Sequence, residues 1–196
     1  MVSVSMAYRL ALIATTSTKS VEKAALELGD ILYEIDNSID VRKDERYPLV
    51  YVFSSVDAMK LFRRLTQNPP AYSHRIVPAE HILEDVHVKT DKDVERLVYS
   101  IMSIYKSKLA EKSRFKLYGK PRRYYINIDE KHFNNILFAS AKNALAELGY
   151  EARPVFRAAR YELLIEDTKY GIVVAWLPAN HSKASFWRTR RLSFKG

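Results

Sequence analysis

The chain has 196 residues and a mass of 22.7 kDa, enough for one domain or two small ones. Its 47% hydrophobic and 12% aromatic residues can form a core, which excludes wholesale disorder. The sequence offers no apolar run of the roughly 18–20 residues that a membrane-spanning helix needs, no secretory signal and no cysteine. We therefore expect a soluble protein of the cytoplasm.

Positive charge is concentrated in the second half of the sequence. The chain carries 32 basic and 23 acidic side chains, a net charge of +9, and its sequence pI is near 9.6. Residues 1–98 hold 13 basic and 15 acidic side chains, whereas residues 99–196 hold 19 and 8. This asymmetry favours a framework module joined to a surface that binds a polyanion. The alternative is an ordinary basic protein whose charges are scattered for solubility.

The first 70 residues alternate between strand-like and helix-like segments. Residues 7–15 form an apolar run typical of a strand, and Ser20 can cap a helix over residues 21–35 with apolar side chains at helical spacing. Residues 48–53 predict a second strand. The following residues predict a second helix, which ends at Pro69–Pro70 because proline lacks the backbone N–H.

Beyond the two prolines, residues 74–83 predict an extended segment that Pro78 restricts to a sheet edge. Asp91 and Asp93 predict the start of a long helix, since carboxylates are favourable at a helix N-terminus. The next predicted elements are a strand at residues 114–118, a turn at 119–121 and a short strand at 122–128. A helix at residues 130–148, ended by Gly149, and a hairpin at residues 160–176 follow.

Catalytic patterns are absent from the sequence. It has no glycine-rich phosphate loop, no Gly-x-Ser-x-Gly motif and no His-x-x-x-His pair. His74, His81 and His87 lie close together, but in an extended, proline-containing segment where isolated histidines are usually structural. Asp91 and Asp93 are explained by the helix start, and the acidic pair 166–167 is expected at the tip of the hairpin. We therefore predict no catalytic residue, no metal and no cofactor.

Basic and aromatic side chains alternate in three clusters, at residues 120–125, 153–161 and 186–195. Arginine binds phosphate through two parallel hydrogen bonds, and aromatic rings stack on unpaired bases. RNA loops and ends offer both groups, whereas duplex DNA hides the faces of its bases, so the clusters favour RNA. Within this region, Phe156 and Trp176 are expected to pack in the core, as aromatic residues of strands usually do.

Several stretches of the sequence, taken with the order of predicted elements, resemble the THUMP domain, an RNA-binding module of tRNA-modifying enzymes and their accessory proteins. They are residues 61–65, 69–78, the helix that Asp91 starts, residues 114–117 with Arg122 and Arg123, and residues 147–150, 153–154, 161–166 and 170–174. The part before them looks like the ferredoxin-like domain that often precedes a THUMP domain. The Arg-Ile-Val-Pro run at residues 75–78 is similar to proteins that assist the tRNA cytidine acetyltransferase.

The resemblance implies an α+β fold in three parts. Residues 1–70 would form a ferredoxin-like domain, residues 71–180 a THUMP-like RNA-binding domain, and residues 181–196 a basic aromatic tail. About 18 residues follow the predicted hairpin, which leaves no room for a methyltransferase, pseudouridine synthase or thiolation domain. The expectation is thus a non-catalytic accessory factor in tRNA modification, with cytidine acetylation as the reaction.

Such a factor would bind the acceptor stem and single-stranded end of tRNA, together with a separate modifying enzyme. The basic residues expected to contact RNA are Lys116, Lys120, Arg122, Arg123, Arg153, Arg157, Arg160, Arg188, Arg190 and Arg191. One alternative is a small RNA-processing enzyme that uses His74 or His132. Another is an interaction protein whose basic face meets ribosomal RNA or an acidic protein.

Overall fold

The computed structural model describes residues 8–111 and 113–184. This part of the chain divides into two compact units, the first formed by residues 8–80 with 181–184 and the second by residues 81–180. Each unit combines one sheet with helices, which confirms the predicted α+β class. Within the described residues, the helices are too short or too polar to cross a membrane.

The first unit is a four-stranded antiparallel sheet packed against two helices. Its elements in chain order are β1 (Arg9–Thr16), a 3-10 turn (Thr18–Ser20), α1 (Val21–Tyr33), β2 (Asp40–Lys43), β3 (Leu49–Ser54), α2 (Ala58–Gln67) and β4 (Ser73–Pro78). The strands lie in the order β2-β3-β1-β4. This β-α-β-β-α-β succession is the ferredoxin-like arrangement. Short, charged β2 was not predicted, because an edge strand with half-exposed residues lacks an apolar pattern.

Strand β4 belongs to the first unit, not to the second as predicted. It pairs antiparallel with β1 along Ile13↔Val77, at the edge of the sheet where Pro78 is tolerated. Residues 181–184 return to β4: the Ile76 N–H donates to the Ser182 carbonyl at 2.7 Å, and Ser182 is buried. The compact units therefore separate near residue 80, and the first residues of the expected tail lie against a sheet.

The second unit contains a five-stranded mixed sheet and two long helices. Its elements are β5 (His81–Leu83), α3 (Asp91–Ile104), α4 (Lys106–Leu109), β6 (Arg114–Lys120), α5 (Glu130–Glu147), β7 (Arg153–Pro154), β8 (Tyr161–Thr168) and β9 (Gly171–Pro178). The strands lie in the order β5-β9-β8-β6-β7, with β6 parallel to both β7 and β8. Thr90 and Asp93 form a capping box that fixes the start of α3, as the early carboxylates suggested.

Helices α3 and α5 pack on one face of this sheet and form its core with alternate strand residues. Phe115 of β6, Leu163 and Ile165 of β8, and Trp176 of β9 point into the core and are buried. Because side chains alternate along a strand, Arg114 and Lys116 of β6 face away from the helices. The core shared with the helices thus lies on one face of the sheet, and the opposite face of β6 carries the exposed cations Arg114 and Lys116.

Two sequence predictions in this unit are wrong. Glu166 and Asp167 were expected at the tip of the hairpin, but both are fully buried in β8, and the turn lies at Lys169–Tyr170. Residues 122–128 were expected to form a strand, but they form an irregular segment with a single bridge between Val88 and Ile126. The hairpin itself is confirmed, formed by β8 and β9.

Gly119 is the point of closest approach between β6 and α5. A Cβ atom there would lie 2.2 Å from Cε1 of Phe133, whose ring is fully buried. The side-chain amide of Asn134 accepts a hydrogen bond from the Gly119 N–H at 2.9 Å and donates one to the Gly119 carbonyl at 2.8 Å. Asn134 therefore substitutes for a neighbouring strand at a position that β7 does not reach.

We expect Gly119→Ala to lower the free energy of unfolding by about 3 kcal/mol, because the buried Phe133 ring has no room to move aside. Gly29→Ala in α1 is the matched control. Its new Cβ would have no neighbouring atom closer than 3.9 Å. Replacing this mid-helix glycine by alanine should raise the free energy of unfolding by about 0.5–1 kcal/mol. Urea unfolding followed by circular dichroism measures both. Equal midpoints for the two variants would contradict the close approach.

Candidate nucleic-acid interface

Two arginines from neighbouring strands and a third directly before the next strand lie side by side at one end of the second sheet. Arg114 of β6 is the register partner of Arg153 of β7, so their side chains share the face opposite the helices. Arg160, directly before β8, donates its backbone N–H to the Arg114 carbonyl at 2.8 Å. We call Arg153, Arg114 and Arg160 the arginine row. The row brings Arg114 next to two positive charges that lie 39 and 46 residues later in the sequence.

The arginine row is exposed, and nearby cations extend it. Lys116 lies two residues further along β6 on the same face, and Arg157 lies in the loop before Arg160; both are exposed. Within residues 8–111 and 113–184, none of these five side chains forms an ion pair. Glu162 is the register partner of Lys116, but it is buried and accepts a hydrogen bond from the Asn180 N–H. Five cations thus remain available to an anion.

Sequence reasoning missed Arg114. The signal was present, because the alternation of residues 114–118 places Arg114 beside Lys116 and opposite Phe115. The pairing of Arg114 with Arg153 was not visible, since 38 residues and a whole helix separate them. Which residues of neighbouring strands lie side by side is set by the register of strand pairing, and the local sequence pattern does not contain this information.

The neighbouring segment 121–128, between β6 and α5, is organised by one buried carboxylate. Asp167 accepts backbone N–H hydrogen bonds from Arg122 at 2.7 Å, Tyr124 at 3.1 Å, Tyr125 at 2.9 Å and Ile126 at 3.3 Å. A buried carboxylate needs such donors, because burial without them would cost several kcal/mol. Asp167 therefore replaces the strand pairing that this segment lacks.

Arg122 is a residue of the fold, not of the surface as predicted. Its side chain is only 6% exposed; it forms an ion pair with Glu166 at 2.7 Å and donates to the Asp167 carbonyl at 3.1 Å. Glu166 is fully buried, so removing Arg122 would take the ion-pair partner away from a charge in the core, a costly change. Its neighbour Arg123 is exposed, with a left-handed φ of 61°. The two adjacent arginines thus have different roles.

Lys120 is half-buried and already has a partner. Its ammonium forms an ion pair with Glu130, which also accepts a hydrogen bond from the Tyr118 hydroxyl at 2.8 Å. Burial opposes ionisation of Glu130, but the hydrogen bonds from Lys120 and Tyr118 outweigh it and hold the pKa of Glu130 below its usual value. Lys120 therefore differs from the unpaired cations of the arginine row. Arg188, Arg190 and Arg191 lie outside the described residues.

The histidines do not converge in the part of the chain that the structure describes. His81 makes an edge contact with the Tyr105 ring, and His87 stacks on Tyr125. His132 lies 2.9 Å from Asp91, where the first turns of α5 and α3 meet. No group of three or more potential metal ligands occurs among the described residues.

No family model matches the sequence, and no curated protein matches it. Solved structures do share its fold. TrmN from Thermus thermophilus matches with a TM-score of 0.57 and 11% identity over 96% of this chain and 50% of that one. A 4-thiouridine synthetase in complex with RNA and ATP matches with a TM-score of 0.50 and 14% identity, over 88% and 44% of the two chains.

A predicted N6-adenine-specific DNA methylase from Listeria monocytogenes matches with a TM-score of 0.52 and 12% identity, over 86% of this chain and 40% of that one. The chain spans about half the length of these proteins or less. At such identities the likeness shows the fold alone, and it agrees with the predicted α+β class.

These comparisons contradict the prediction that the chain is not an enzyme. The proteins that share its fold include the synthetase and the methylase above, a possible methylase and a putative methyltransferase in complex with SAH. The sequence prediction rested on missing motifs and on chain length after the hairpin. Neither observation shows whether proteins that contain this fold are enzymes.

Asp167→Ala should lower the free energy of unfolding by at least about 3 kcal/mol, because four buried or half-buried backbone N–H groups lose their acceptor. It should also speed hydrogen exchange at residues 122–128. Asp85→Ala, which removes an exposed carboxylate of the same unit, is the control and should change neither. Unchanged exchange in the Asp167 variant would show that the carboxylate does not organise the segment.

Proposed function

We propose that the chain binds tRNA through the arginine row with Lys116, Arg157 and Arg123, and that it acts in chemical modification of tRNA. The row is the observation that carries the proposal: three neighbouring guanidinium groups have no acidic partner among the described residues. Phosphates of a nucleic acid are the anions that such a group accommodates. The RNA complex of the 4-thiouridine synthetase, which has the same fold, supports RNA as the ligand.

The acceptor stem and the single-stranded end are the parts of tRNA that we propose for this surface. A stem supplies closely spaced phosphates for the arginine row, and an unpaired end supplies accessible bases. The resemblance to proteins that assist the tRNA cytidine acetyltransferase makes cytidine acetylation the first reaction to test. Incubating the protein with tRNA and either an acetyl or a methyl donor, alone and with cell extract, separates its own activity from that of a partner.

Arg114→Ala/Arg153→Ala should weaken tRNA binding about tenfold and reduce the slope of log K against log salt by about one to two, since two phosphate contacts are lost. Lys60→Ala/Arg63→Ala, which removes two exposed cations of α2, is the charge-matched control and should leave the slope unchanged. Filter binding at several salt concentrations measures both quantities.

An equal loss in the two double variants would contradict the assigned surface and indicate a response to net charge alone. Competition between tRNA and ribosomal RNA at matched salt tests the remaining alternative. Preference for ribosomal RNA would overturn tRNA as the ligand while leaving the surface in place.

A further inference from the structure

Phe156 is the most exposed large hydrophobic side chain among the described residues. It was expected to pack in the core, yet 76% of its surface is exposed, whereas Trp176 is buried as expected. The ring stacks on that of Phe138 in α5, with centroids 4.2 Å apart and planes inclined by 20°. Phe138 thus covers one face of the Phe156 ring, and the high exposure places the other face in solvent. An exposed ring held by a second ring offers a flat apolar surface.

The loop that carries Phe156 is anchored at both ends. The Val155 N–H donates to the Phe115 carbonyl and the Arg160 N–H to the Arg114 carbonyl, each at 2.8 Å. The two acceptors are adjacent in β6, so the loop closes over a short span. A left-handed residue, Ala158 with φ 51°, turns the chain inside it. Phe156 is therefore presented in a defined position before any ligand arrives, which reduces the entropy lost on binding.

An open cleft of about 340 Å³ lies between α5 and β7, next to this loop. Its walls are partly apolar, from Tyr150, Pro154 and Val155, and two cations, Lys142 and Arg153, also line it. Phe138 and Lys142 are four residues apart on α5 and so project from the same side of the helix. Arg153 belongs to the arginine row as well as to the cleft. The cleft is therefore next to the aromatic pair through Val155 and Lys142, and next to the arginine row through Arg153.

The charge around Phe156 indicates an anionic partner. Residues 152–160 contain three arginines and no acidic side chain. A hydrophobic protein partner would use the ring but would leave these cations unneutralised. An unpaired nucleotide supplies a flat base for the ring and a phosphate for a guanidinium group.

We propose that Phe156, supported by Phe138, stacks on an unpaired base of the bound RNA, while Arg153 and Arg157 contact the phosphates that flank this base. The proposal rests on the RNA-binding function proposed above and adds to it a site for a single-stranded nucleotide. The site requires RNA with an unstacked base near a stem. A blunt duplex, which has no unpaired base, would contact the arginine row only.

The test uses two RNA hairpins with the same stem, one blunt and one with a four-nucleotide 3′ tail containing 2-aminopurine. Phe156→Ala in the full chain should bind the tailed hairpin about tenfold more weakly than the wild type, since stacking on one base is lost. Binding of the blunt hairpin and the salt slope should not change, because no charge is removed. The change in 2-aminopurine fluorescence seen with the wild type should be lost.

Tyr33→Ala is the matched control, because Tyr33 is 60% exposed on α1 and should not affect either hairpin. If Phe156→Ala binds both hairpins as the wild type does, or weakens both equally, the stacking site is overturned and the RNA-binding function stands. If the wild type binds neither hairpin nor tRNA, the RNA-binding function fails and the stacking site fails with it.

Discussion

The second unit depends on two neighbouring carboxylates in the interior of its sheet. Glu166 and Asp167 are fully buried in β8, and both need compensation. Glu166 is paired with the Arg122 guanidinium, and Asp167 accepts four backbone N–H groups from residues 122–126. The segment between β6 and α5 is thereby fixed without secondary structure. This requirement places Arg122 inside and leaves Arg123 outside.

In the surface that we assign to RNA, by contrast, the charges are not compensated by neighbouring residues of the described chain. Arg153, Arg114 and Arg160 lie next to one another across parallel strands, and neighbouring like charges on one face destabilise a sheet. Among the described residues no acidic side chain forms an ion pair with them. Such a local conflict is expected at a functional site, where an external anion supplies the missing compensation. The buried Glu166 is paired, whereas the arginine row has no acidic partner among the described residues.

The long helices could be predicted because their signals are local. Thr90, Asp91 and Asp93 lie within one turn of the start of α3, and Gly149, which follows the C-cap residue of α5, has a left-handed conformation. The edge strand β2 and the sheet membership of β4 could not be predicted in this way. β2 has half-exposed, charged residues, and β4 joins the first sheet through pairing with β1, some 60 residues earlier. Their positions depend on distant partners.

Composition and charge were sufficient to show that the second half is basic and to favour a polyanion as its ligand, and periodicity was sufficient to indicate an α+β fold. Which arginines are exposed was decided only when the strands paired. Arg122 and Arg123 are equivalent in the sequence, yet one neutralises Glu166 and the other faces solvent. Arg114 gains its neighbours through register, and Phe156 is exposed because its loop is anchored to β6. Burial and register arise from contacts between residues far apart in the chain, so no local pattern contains them.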